Sequence, residues 1–174
     1  MKKTALLFSL FIFSLSAYGG NLNFKKELNV KKNSTVFIQQ SKTFRSNNEL
    51  DENKGHCRLS AVSSGNSVIK PGASLPVTQI SSQLEVKKIS MKFGGGATKE
   101  FELSCDMPEF PSQEKLRAIV LKNIQDDKEW TVRYNQMEPQ KQAESLRIFM
   151  ARAANEILDD EFDLIMSGVA KLEF

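Results

Sequence analysis

The chain has 174 residues, with 24 Lys+Arg against 21 Asp+Glu, one His and two Cys. Hydrophobic residues make up 40% and charged residues 26%, which excludes both an acidic disordered chain and a polytopic membrane protein. Two cysteines and one histidine are too few soft ligands for a structural zinc site of four thiolates and imidazoles.

Lys2 and Lys3 precede an apolar run from Ala5 to Leu15, broken only by Ser9 and Ser14. Small residues follow: Ser16, Ala17, Gly19 and Gly20. This is the pattern of a secretory signal peptide over residues 1–19, with cleavage expected after Gly19 and Ser16 as a second choice. As a helix the apolar run rises about 16 Å, short of a hydrocarbon core of about 30 Å. No later stretch is apolar enough to span, so the mature chain is expected to be exported, periplasmic or extracellular, with no stable membrane span. Without the two signal lysines it carries 22 basic and 21 acidic residues. That near balance argues against nucleic acid as a partner. Residues 20–105 hold 13 basic and 7 acidic side chains, and residues 106–174 hold 9 and 14. The asymmetry fits a basic binding face, and also two halves that attract one another; the second, plainer reading is preferred.

Residues 20–107 read as a β-rich region. Leu22, Phe24, Leu28 and Val30 share one parity, and a Lys31–Ser34 turn leads into a return strand at Thr35–Gln39, together a hairpin. Ser41 to His56 is polar and reads as a long structureless loop of the kind that often carries function. Phe44, Arg45, Asn47, Asn48 and His56 are its candidate binding residues. Further strands are expected at Cys57–Val62, Leu75–Ile80, Leu84–Phe93 and Lys99–Cys105, the long one carrying a bulge near Lys87-Lys88 where its apolar parity changes. Gly94-Gly95-Gly96 turns the last hairpin.

Cys57 alternates inward with Leu59 and Ala61, and Cys105 with Phe101 and Leu103, so both sulfurs fall on apolar strand faces. In an oxidising compartment an even pair of this kind reads as a disulfide. Its 48-residue separation is worth about 4 kcal/mol in the chain-entropy model. A catalytic thiol next to His56 is the weaker reading, because adjacent strand residues point to opposite faces.

Residues 108–174 read as mainly helical and can share one core with the β region. Pro108 and Pro111 break the sheet, and Ser112 is placed to cap a helix bearing Leu116, Ile119, Val120 and Ile124. Trp130, Val132 and Tyr134 alternate, which reads as a short strand. Pro139 opens a longer helix with the stripe Ala143, Leu146, Phe149, Met150, Ala153, Ile157 and Leu158, interrupted near Asp159-Asp160-Glu161 and capped by Gly168. The expected fold is therefore α+β: a small antiparallel sheet or sandwich stapled by one disulfide, followed by two to three packed helices.

No catalytic set assembles from the sequence. Gly94–Lys99 lacks the Gly-Lys-Ser/Thr end of a phosphate loop, and there is no Gly-x-Ser-x-Gly elbow. Asp159, Asp160, Glu161 and Asp163 lack the glycine and the closing glutamate of a calcium loop, so neither a metal nor a cofactor is expected. Asn33-Ser34-Thr35 matches an N-glycosylation triplet. Lys87, Lys88, Lys92 and Lys99 form a candidate basic face, either a guard against edge pairing or an attractor for an anionic envelope polymer or headgroup. The expected function is a non-enzymatic exported module that binds another protein or an anionic envelope component. The alternative is a hydrolase acting on envelope glycan or peptide through carboxylates such as Glu85, Glu100 and Glu102.

Overall fold

A computed structural model describes residues 20–62, 65–83, 87–96 and 99–173. The expected signal segment, Leu84, Glu85, Val86 and the terminal Phe174 lie outside these residues. The first half supplies strands β1 (Asn21–Phe24), β2 (Leu28–Val30), β3 (Val36–Gln39), β4 (Lys42–Phe44), β5 (His56–Ala61), β6 (Ser67–Ile69), β7 (Ser74–Gln83), β8 (Lys88–Gly94) and β9 (Glu100–Asp106). Helices α1 (Gln113–Asp126), α2 (Lys128–Asn135) and α3 (Pro139–Met166) follow, and the chain returns to the sheet as β10 (Ala170–Glu173). Among the described residues the main sheet has eight antiparallel strands in the order β10-β1-β7-β8-β9-β5-β3-β4, and β2 pairs β6 in a separate ladder. The fold is thus α+β, as the order of elements implied.

Period-two alternation builds the core. Ile89, Met91 and Phe93 of β8 and Phe101, Leu103 and Cys105 of β9 are all buried, while the residues between them face outward. Phe93 and Phe101 are register partners whose rings stack at 5.4 Å, and Phe24 packs on Phe93 at 5.6 Å. Burying a side chain the size of Phe93 contributes about 1.5–3 kcal/mol. Cys57 and Cys105 stand directly opposite in the β5–β9 ladder and form the disulfide. Gly94, Gly95 and Gly96 turn the β8–β9 hairpin, all three with positive φ (86°, 93° and 63°).

The C-terminal half of α3 buries Ala154, Leu158, Phe162, Ile165 and Met166 in the same core, to which α1 adds Leu116. The N-terminal half of α3 packs instead on α1 and α2, where Trp130 meets Phe149 edge to face at 4.9 Å. The junction after α3 closes the curled sheet. The Ser41 amide, in the β3–β4 turn, donates to Ile165 O (2.8 Å), and the Gly168 amide donates to Ser41 Oγ (3.0 Å). On the other side the Lys25 amide donates to Val169 O (2.8 Å), and β10 pairs β1.

Several expectations are corrected. Leu28–Val30 and Thr35–Gln39 do not form a hairpin: the Lys31–Ser34 turn is present, but β2 pairs β6 while β3 pairs β4 and β5. Shared parity cannot tell one strand from two joined by a break. Ser41–His56 is not structureless, since it holds β4 and a 3₁₀ turn at Asn47–Glu49 capped by Ser46. The parity change expected as a bulge at Lys87-Lys88 is a chain reversal, because Gln83 pairs with Lys88. A register shift lies instead between Val77 and Gln79, moving the inward positions from Leu75 and Val77 to Ile80.

In the helical region, Glu129–Tyr134 is helix and not strand. The Asp127 carboxylate accepts from the Glu129 and Trp130 amides, and four-residue spacing sets Trp130 and Tyr134 on one helix face while Val132 is exposed. Helix α3 runs unbroken through Asp159-Asp160-Glu161, since exposed acids at 159 and 160 leave the buried Leu158–Phe162 spacing intact. Gly168 is no left-handed cap: its φ is not positive, and a Cβ there would stand 2.6 Å from Ser41 Cβ. Ile119 and Ala143, assigned to apolar stripes, are exposed.

Candidate functional site

Alternation that turns Cys57 and Cys105 inward turns their neighbours outward. Ladder register then sets His56 opposite Asp106 and Asp106 opposite Lys88, a row of three titratable residues across β5, β9 and β8. The next row runs Phe37, Arg58, Ser104 and Ser90. On Asp106 the carboxylate accepts from Arg58 Nη2, lies 3.2 Å from Lys88 Nζ and 3.6 Å from His56 Nε2. Three basic side chains converge on one acid. His56 Nδ1 is 3.3 Å from Lys54 O, a bond that requires a proton on Nδ1, and Nε2 is turned to Asp106.

This cluster floors a cavity of about 360 Å³ lined by Phe37, Asn47, Leu50, Glu52, His56, Arg58, Lys87, Asp106, Met107 and Pro108. One wall is the segment after β4, held from below by the buried Gln39. Its Nε2 donates to Asp51 O (2.8 Å), and its Oε1 accepts from the Asp51 amide (3.0 Å). Gly55 lets this segment approach α3, since a Cβ would lie 2.8 Å from Ile165 Cδ1. The opposite wall is the start of β8, where Lys87, at a φ of 54°, donates through Nζ to Pro108 O (2.8 Å).

Of the residues singled out in the sequence, Asn47, His56 and Lys87 line the cavity and Lys88 reaches it through Asp106. Phe44 pairs with Phe37 across the β3–β4 ladder, Asn48 is bonded to Ser46 Oγ through its amide, and Arg45 is exposed; none of the three lines the cavity. Lys88 and Lys92 share the outward side of β8, Lys92 opposite Glu102 in register, and Lys99 reaches Asn66 O (2.6 Å) beyond the far end of that strand. Glu100 and Glu102 lie on β9 away from the cavity. The His56 side chain is only 14% exposed. Arg58, Asp106 and the apolar wall of Phe37, Leu50, Met107 and Pro108 were not singled out. Yet placing the two cysteines opposite one another in an antiparallel ladder would itself have paired His56 with Asp106.

Behind the cavity, burial raises the Glu161 carboxyl above its ordinary range; the Glu109 charge adds to this and Lys87 opposes it. Asp159, on the exposed side of α3, is raised as well, by partial desolvation first and then by Asp163 and Asp160. Among the described residues no group of three or more His, Cys, Asp or Glu is arranged to hold a metal ion. Comparison of the chain with protein-family models, curated proteins and solved structures finds no match.

Proposed function

We propose that this is an exported, non-enzymatic binding module of the periplasm or extracellular space, and that its ligand or partner engages the cavity between the Asn47–His56 segment and the start of β8. One observation carries the reading: residues singled out separately in the sequence, Asn47 and His56 from the polar segment and Lys87 from the lysine group, line the same cavity. A disulfide in the core supports the oxidising compartment, as does the tripartite pattern of residues 1–19. No helix among the described residues is long and apolar enough to cross a membrane.

The test is a photo-crosslinking side chain placed in cells at Asn47, with a control at the exposed Val68 on β6. Adducts are expected at position 47 and not at 68, on a product shortened by about 19 residues and recovered outside the cytosol. Equal labelling at both positions would reject the cavity, and a full-length cytosolic product with alkylatable thiols would reject export. Sustained turnover of an envelope glycan or peptide by the purified protein would replace the module with an enzyme.

A further inference from the structure

Resting on that reading, we infer that the cavity recognises a small amphipathic anion: a carboxylate or phosphate head on an apolar body. Charge at the floor is unbalanced. Arg58 and Lys88 both contact the single Asp106 carboxylate, His56 approaches it, and Lys87 adds a further cation from the rim. Glu52, exposed to solvent, also lines the cavity, so the cations Arg58, Lys87 and Lys88 exceed the acids Asp106 and Glu52 by one charge. Arg58 has hydrogen-bonding capacity to spare. Its Nε is buried without a partner and out of a ligand's reach, but the side chain is 42% exposed and presents a guanidinium fork that suits an oxyanion. Asp106 therefore acts as a resident counter-ion that an incoming anion supplements or displaces.

The remaining wall sets the rest of the ligand. Phe37, Leu50 and Pro108 line the same cavity, with the fully buried Met107 behind them, so a body next to the charged head meets carbon and not more charge. A volume of about 360 Å³ lies at the small end of ligand sites, enough for a short chain or ring and not for a folded surface. A bare inorganic anion leaves the apolar wall wet, and an uncharged apolar molecule leaves the Arg58 donors unmatched.

Titration calorimetry of the disulfide-bonded protein with octanoate and octyl phosphate tests this, against 1-octanol for the body alone and acetate and inorganic phosphate for the heads alone. At least one of the two amphipathic anions is expected to bind about tenfold or more tightly than any of the three controls. The carboxylate and phosphate arms identify the head. Arg58→Gln is expected to weaken that binding by a similar factor, whereas Asp106→Asn, which removes the competing carboxylate, tightens it. The opposite signs separate recognition from simple damage to the fold, and circular dichroism of both variants checks that they are folded. Equal binding of 1-octanol, or binding that Arg58→Gln leaves unchanged, overturns the anion inference while leaving the cavity as a binding site. Failure of both amphipathic anions to bind, with adducts still formed at Asn47 in cells, overturns it in favour of a larger partner. Weaker binding in Asp106→Asn shows that Asp106 contacts the ligand and is not its competitor, and also overturns it.

Discussion

Gln39 decides whether the cavity keeps its outer wall. It is 7% exposed at the end of β3, and its amide makes two short bonds to the Asp51 backbone, at 2.8 and 3.0 Å. Replacing it with Leu keeps the volume roughly similar and removes both bonds. Each such bond contributes about 0.5–1.5 kcal/mol net, so the segment around Asp51 loses about 1–3 kcal/mol of local stability. Global stability should fall by less, because Leu suits the buried site and the freed Asp51 groups, on an exposed residue, can bond to water. Native-state hydrogen exchange reads the difference directly. Amides of residues 50–55 are expected to exchange roughly 5- to 150-fold faster in Gln39→Leu, with those of β8 and β9 unchanged. Unchanged exchange at 50–55 would refute this reasoning, since it would mean that the segment is held by something other than the Gln39 amide. Uniformly faster exchange would also refute it, by making Gln39 a determinant of the whole fold and not of one wall.

Removing the staple with Cys57→Ser and Cys105→Ser together should cost about 4 kcal/mol in urea unfolding, with a steeper slope because the unfolded chain loses its cross-link, given the loop of 48 residues that it closes. Gly168→Ala puts a Cβ 2.6 Å from Ser41 Cβ, and is expected to destabilise by about 1–3 kcal/mol in the same assay; an unchanged midpoint would show that the β3–β4 turn moves freely from the end of α3. Asp159→Asn should raise the melting temperature at pH 7 and leave it unchanged near pH 3. The sign follows from the raised carboxyl, which binds its proton more tightly in the folded state. Stability therefore falls as pH rises from about 4 through the raised pKa and stays reduced above it. A variant no more stable than the parent at pH 7 would contradict that direction.

The pattern of inward residues was legible wherever a strand stood alone between clear turns. Cys57, Leu59, Phe101, Leu103 and Cys105 each took the expected face, and the three glycines at 94–96 turned the expected hairpin. Pairing was much less legible. Leu22–Val30 looked continuous by parity, yet Phe24 and Leu28 belong to different ladders, and what divides them is the tertiary position of β6 and β7. β10 was missed because Ala170–Glu173 has only four residues and takes its meaning from β1, at the other end of the chain. Trp130, Val132 and Tyr134 misled because spacing of two and spacing of four both join Trp130 to Tyr134; the Asp127 cap decides between them. At the site, His56 and Lys87 could be named from composition, but their meeting depends on the β8–β9–β5 register. Arg58 and Asp106 alternate with the cysteines and face the other way, and no spacing of their own marks them as partners.

The pairing of β1 with β10 joins positions 150 apart in sequence, as in the bond from Asn23 Nδ2 to Glu173. Its other partner, β7, also arrives only after five intervening strands. The earliest described strand therefore has nothing nearby to zip against and must wait, unsatisfied, for segments made long afterwards. Long-range closure of this kind slows folding. A delay of that sort postpones the final lock until the last helix has been delivered.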